Sequence, residues 1–137
     1  MTAAADRRAT GLSAWALGLL ILLPVPMLGS LAAGGAMVAA YGSLSRQGPL
    51  AKANAAAARR WGAIFLIVST GLLAAQLALG LIRLAAPAAG PTGFLPQALP
   101  ILLYVLVCIV HLGVVIAAML RARRGEVVRF AFLGRPS

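Results

Sequence analysis

Three stretches of this chain, 9–45, 61–82 and 84–120, contain no Asp, Glu, Lys or Arg. Every formal charge lies outside or between them. A hydrocarbon core about 30 Å thick needs roughly 20 apolar residues in helical conformation to span it, and each stretch is long enough for at least one passage. Across the 137 residues 62% are hydrophobic and only 10% charged, whereas a water-soluble domain carries about a quarter of its residues charged. The expected fold class is therefore an all-α integral membrane protein.

The distribution of basic residues orients it. The net charge of +10 would suit a nucleic-acid binder, but the basic residues bracket apolar helices, which is the positive-inside pattern, and nucleic acid is excluded as the expected partner. Arg46, Lys52, Arg59 and Arg60 lie between the first and second apolar stretches; Arg121, Arg123, Arg124 and Arg129 follow the third; the 87–98 loop carries none. The chain divides into a cytoplasmic N-terminus (1–10), a Pro-broken apolar segment (11–44), a basic cytoplasmic loop with a short interfacial helix (45–60), a transmembrane helix (61–86), an outer Pro/Gly loop (87–98), a second transmembrane helix (99–123) and a basic cytoplasmic tail (124–137).

Pro24-Val25-Pro26 interrupts the first segment, because proline lacks the backbone donor and clashes with the preceding turn. Either 11–44 is one kinked crossing or it is a hairpin of short helices, about 11–23 and 28–44, turning at the prolines. Two clean crossings with a cytoplasmic tail favour the hairpin, giving three to four membrane segments with both termini cytoplasmic. Arg7-Arg8, the apolar run 12–23 and Val38-Ala39-Ala40 follow the order of a secretory signal. Ala9, Thr10 and Gly11 replace the apolar residues expected after a twin Arg, and the segment is expected to stay attached. Trp61 suits an interfacial anchor, Pro100 the first turn of the last helix, and Gly125 the position just past its end.

Little in the chain can carry chemistry. Asp6 and Glu126 are the only carboxylates, so paired acid–base catalysis has nothing to work with, and no phosphate loop or metal-ligand spacing occurs. No enzyme activity, cofactor or metal is expected. His111 and Gln76 each fall near the middle of a crossing, at similar depth if the two helices run antiparallel, and are expected to face inward and pair. An intramembrane His is a functional candidate, as haem ligand, proton relay or quinone contact, against a structural role in interhelical hydrogen bonding. Arg83 is expected to snorkel to the outer interface, Cys108 to be a small buried apolar residue, and Glu126 to pair with a tail Arg. Gly71, Ala75, Gly113 and Ala117 form small-xxx-small patterns for helix packing, with Gly29, Gly34 and Gly35 as counterparts in the hairpin.

The tail Arg124-Gly125-Glu126-Val127-Val128-Arg129-Phe130 follows a Pro-broken segment, a basic helix ending in Ala58-Arg59 and a Pro-containing loop. In this layout the chain resembles small bacterial membrane proteins related to the Tic-twenty subunit of the chloroplast inner-envelope import machinery. It departs from them where Gly62, Ala63 and Ile64 replace an Asn-Phe pair, and at Val127, Val128 and Ala131, where Tyr and Pro are usual. The resemblance implies a helical fold with both termini cytoplasmic. The Ala- and Arg-rich composition points to a bacterium and its plasma membrane. Three functions follow: a non-catalytic accessory or structural subunit of a larger membrane complex, touching anionic lipid or other subunits through its basic residues; a homo-oligomeric channel or protein-translocation component; or a haem- or quinone-binding redox subunit using His111.

Overall fold

A computed structural model describes residues 9–25, 27–88 and 93–129. The interrupted first segment becomes a helical hairpin. Its first arm is a short α-helix, α1 (Leu12–Ala16), that tightens into a 3-10 helix (Leu17–Leu22). The second arm, α2 (Leu28–Ala39), then packs back against the first. Met27 takes φ +70° to make the turn, a conformation uncommon for any residue but Gly, Asn or Asp. Gly29 lets the arms close on each other: a Cβ there would meet the Ile21 carbonyl oxygen at 2.9 Å. Among the described residues, 11–44 thus forms two short arms packed on each other.

A one-turn helix, α3 (Tyr41–Leu44), and a 3-10 turn (Ser45–Gln47) lead to α4 (Pro49–Ala85). Pro49 opens α4 at a position where its missing N–H does no harm. The short interfacial helix expected over 45–60 is not a separate element. Ala is the strongest helix former, nothing in 50–61 breaks the ladder, and the basic stretch continues into the apolar one as a single 37-residue helix, ~55 Å long at 1.5 Å per residue.

The last helix, α5, runs Phe94–Arg123. It begins earlier than the expected residue 99, so Pro100 lies inside the helix rather than in its first turn, which holds Pro96. At the other end Gly125 adopts φ +76°. Its N–H donates to the Ala122 carbonyl at 3.0 Å and the Glu126 N–H to the Arg121 carbonyl at 3.2 Å. This is the Schellman pattern, which satisfies the last carbonyls and reverses the chain.

Helix and turn account for the ordered structure, with no strand among the described residues. The two long helices are long and apolar enough to cross a membrane, and only 11% and 17% of their most apolar windows are covered by the rest of the chain. The core of a soluble domain would be mostly covered. Here the core gathers at one end, where Trp15, Met37, Ala55, Ala58, Val115, Ala118, Ala122 and Val128 pack together.

Candidate functional site at the packed end

The core end is organised by a single amide. Asn54 sits in an Ala-rich turn of α4 whose inner face, Ala51, Ala55 and Ala58, is buried. Its side chain is also buried, with no exposed area. Its Nδ2 donates to the Thr10 carbonyl at 2.6 Å and the Glu126 carbonyl at 3.1 Å, and its Oδ1 accepts from the Val128 N–H at 2.8 Å. One side chain thereby joins the start of the hairpin, the base of α4 and the tail beyond α5. Gly11 permits the approach: with φ +76°, it stands where a Cβ would meet the Asn54 Cβ at 2.6 Å. Both described ends of the chain meet at this end of the molecule. Sequence reasoning passed over Asn54, although it is the one neutral polar residue in the run 51–58 and shares a helical face with Ala51, Ala55 and Ala58.

Deeper in, His111 ties three elements together. The Trp61 indole Nε1–H donates to Nδ1 at 3.1 Å, and Nε2 lies 3.1 Å from the Gly18 carbonyl oxygen. Because Nδ1 accepts, the proton sits on Nε2 and donates to Gly18, so the ring is neutral and both nitrogens are engaged. Phe65 stacks on the imidazole with centroids 3.8 Å apart, and Trp61 lies at 6.1 Å. Gly18 is a steric requirement here, since a Cβ would meet Val115 Cγ2 at 2.5 Å and His111 Nε2 at 3.2 Å.

This geometry corrects the expected Gln76–His111 pair. His111 is level with Trp61 and Phe65, so Gln76, eleven residues beyond Phe65, lies ~16 Å further along α4. The antiparallel register is offset from the one that charge placement suggested: His111 faces the Trp61–Phe65 turn of α4 rather than its middle. Gln76 Oε1 is buried without a hydrogen-bond partner among the described residues. Trp61 is likewise turned inward to His111 rather than serving only as a surface anchor. Haem ligation at either ring nitrogen of His111 would require breaking one of its two hydrogen bonds, and the described residues hold no group of three metal-ligating side chains.

A third link lies at the hairpin turn. The Tyr104 hydroxyl donates to Ser30 Oγ at 3.0 Å, and Ser30 Oγ donates to the Met27 carbonyl at 2.8 Å. This chain fastens the turn to α5.

The helix-packing expectation is also revised. Gly71, Ala75, Gly113 and Ala117 are exposed, and a Cβ at Gly71 or Gly113 would meet nothing within 4 Å. Contact instead runs through Gly34 and Gly62, where α2 crosses α4. A Cβ at Gly62 would lie 2.6 Å from Met37 Cβ, and one at Gly34 2.9 Å from Leu66 Cβ. Of the hairpin glycines, Gly29 and Gly34 are close-packed and Gly35 is open. Small-residue spacing recurs throughout so Ala-rich a chain, and only the neighbours decide which copy is used.

Arg46, Lys52, Arg59, Arg60, Arg121, Arg123, Arg124 and Arg129 are all exposed at the core end. Arg59 lies over the Tyr41 ring, 5.1 Å from its centroid, a cation–π contact. Glu126 contributes to the tail through its backbone rather than through the expected ion pair: its carbonyl accepts from Asn54, and its carboxylate forms no ion pair among the described residues. Arg83 is exposed near the far end of α4, and Cys108 is half-buried and free.

Comparison with known proteins finds no matching protein family, no matching curated protein and no matching solved structure.

Proposed function

We propose that this chain is a non-catalytic integral membrane subunit that presents a basic cytoplasmic face to a larger bacterial membrane assembly. One observation carries the reading: the buried polar side chains Asn54 and His111 are engaged in holding the hairpin, the helix pair and the tail together, while eight cations stand exposed at the end that they assemble. The interior polar groups are used for structure, and the cationic ones lie on the surface. Two apolar helices with little internal cover support the membrane placement, and the positive-inside distribution favours a cytoplasmic Asn54 end in a bacterium. Anionic lipid headgroups at about 1 kcal/mol per Lys or Arg, and acidic surfaces of other subunits, are the partners such a face fits. The kinship with Tic-twenty-like proteins remains part of this proposal and rests on the tail Arg124–Phe130 and the Pro-broken hairpin.

Purification in mild detergent from native expression, with identification of what co-elutes, tests the reading. A stoichiometric membrane partner that is lost when Arg121, Arg123 and Arg124 are changed to Glu is the expected result. A homo-oligomer without a partner overturns it in favour of a second reading, a channel or translocation component. That alternative draws on the hairpin, which ends well short of the far ends of α4 and α5.

A further inference from the structure

Among the described residues the molecule is four helices wide at the Asn54 end and two at the other. The buried residues of α4 end at Ser69, and those of α5 begin at His111. The hairpin lies along that covered half, with its second arm fastened to Tyr104 through Ser30. Beyond Tyr104, α5 continues from Leu103 back to Phe94, ten residues or ~15 Å, and α4 continues to Ala85. Leu77, Leu81 and Leu84 of α4 are exposed in this half, as are Leu95, Leu99 and Leu102 of α5.

The hairpin starts and finishes at the basic end. Thr10 is held by Asn54, and α3 leads from the second arm to Arg46 and the start of α4. Each arm is ~18–20 Å long, at 1.5 Å per α-helical residue and about 2.0 Å per 3-10 residue. The hydrocarbon core is about 30 Å thick, so an arm entering from the basic end passes through one leaflet and stops short of the far surface. Residues 9–45 carry no charge to oppose entry, and Leu22, Leu23, Val25, Met27 and Leu28 at the tip are exposed. The turn also limits the backbone polarity it carries inward. Pro24 and Pro26 have no N–H, the Leu23 N–H donates to the Leu20 carbonyl, and the Val25 and Met27 carbonyls accept from Gly29 and Leu31. Each such economy lowers the cost of irregular backbone in hydrocarbon.

We propose that the hairpin is inserted only in the leaflet on the Asn54 side, which makes the protein a wedge fitted to a bilayer curved convex toward that side. This rests on the membrane placement proposed above. Two additional helices about 10 Å across occupy on the order of 150 Å² more of that leaflet than of the other. In the far leaflet acyl chains fill the difference and cover the exposed leucines of α4 and α5. A flat bilayer has equal area in its two leaflets, whereas a bend gives the convex leaflet more. The wedge therefore favours bends toward the Asn54 end, as one-sided insertion of apolar helices does in general.

Reconstitution of the full chain into neutral-lipid vesicles, one batch small and one large, tests this. Ser43→Cys in a Cys108→Ala background marks the Asn54 end, and an impermeant thiol reagent counts the copies that face outward. The expected ratio of outward to inward copies is on the order of threefold higher in the small vesicles. Equal ratios in the two batches, with the protein floating with the lipid, overturn the wedge and leave the membrane placement standing. Protein that does not float with either batch overturns the membrane placement, and the wedge falls with it. Val25→Cys in the same background, labelled with a fluorophore before reconstitution, reads the depth of the hairpin tip. Stronger quenching by bromines midway along the acyl chains than by a headgroup quencher is expected. The opposite order places the tip at the surface and overturns the insertion, whatever the orientation ratio.

Discussion

Asn54 and His111 show how much of this molecule depends on two side chains. Asn54→Ala leaves the Thr10 and Glu126 carbonyls and the Val128 N–H without their partner, and each buried unsatisfied group costs about 1–3 kcal/mol. The expected outcome is a lower unfolding temperature together with faster tryptic cleavage after Arg124 and Arg129, because the tail is no longer held. Cleavage at the parental rate would show that the Asn54 bonds do not hold it. His111→Leu keeps the bulk against Phe65 but removes the acceptor of the Trp61 indole and the donor to Gly18, and it is expected to destabilise by about 1–3 kcal/mol. Trp61→Phe should be coupled to it, so that in thermal unfolding the double variant loses less than the sum of the singles. Additive losses would argue against the hydrogen bond. His111 was legible as an intramembrane polar group from its place in an uncharged run, but its partners were not. Trp61 and Gly18 lie in other segments, and the offset between antiparallel helices depends on which side chains pack together.

At the level of elements, the glycines separate by neighbour rather than by spacing. Gly62→Ala sets a Cβ 2.6 Å from Met37 Cβ, a rigid part of that side chain, and should cost about 1–3 kcal/mol through displacement of α2. Gly71→Ala and Gly113→Ala meet no atom within 4 Å and are expected to hold or slightly raise the unfolding temperature, because Ala is the better helix former. Equal losses at all three sites would contradict the crossing through Gly34 and Gly62. The break in the first segment was readable from Pro24 and Pro26, because two prolines two residues apart remove two backbone donors from one turn, whereas the single Pro100 is carried inside α5. The Schellman end at Gly125 was readable for the same kind of reason, a residue whose backbone freedom suits one position. The continuity of α4 was not read, although its Ala run favoured it: amphipathic charge placement was allowed to suggest a boundary that no helix-breaking residue enforces.

For the whole molecule, the proposed orientation makes Ser43 and Gly93 opposite in sidedness. In the Cys108→Ala background, Ser43→Cys should react with an impermeant reagent only after the cytoplasmic side is opened, and Gly93→Cys in intact cells. The reverse pattern would invert the assignment, and reaction of both in intact cells would remove it. The sequence by itself determined the quantities that are local or additive: that the chain is helical, that two of its helices can cross a bilayer, that the first apolar segment is interrupted at its prolines, and that cations collect at the ends of apolar runs. These follow from hydropathy, chain length and the backbone chemistry of Pro and Gly, none of which needs a neighbour. Only the tertiary structure decided that Thr10 and the stretch Glu126–Val128 meet on Asn54, that His111 bonds Trp61 and Gly18 while Gln76 lies a further ~16 Å along its helix, that the packing seam uses Gly34 and Gly62, and that the hairpin ends short of its companions. Each of these depends on helix register and crossing geometry. A shift of one residue turns a side chain by about 100° and moves it 1.5 Å, and uniform apolar, Ala-rich faces carry no pattern from which that shift can be read.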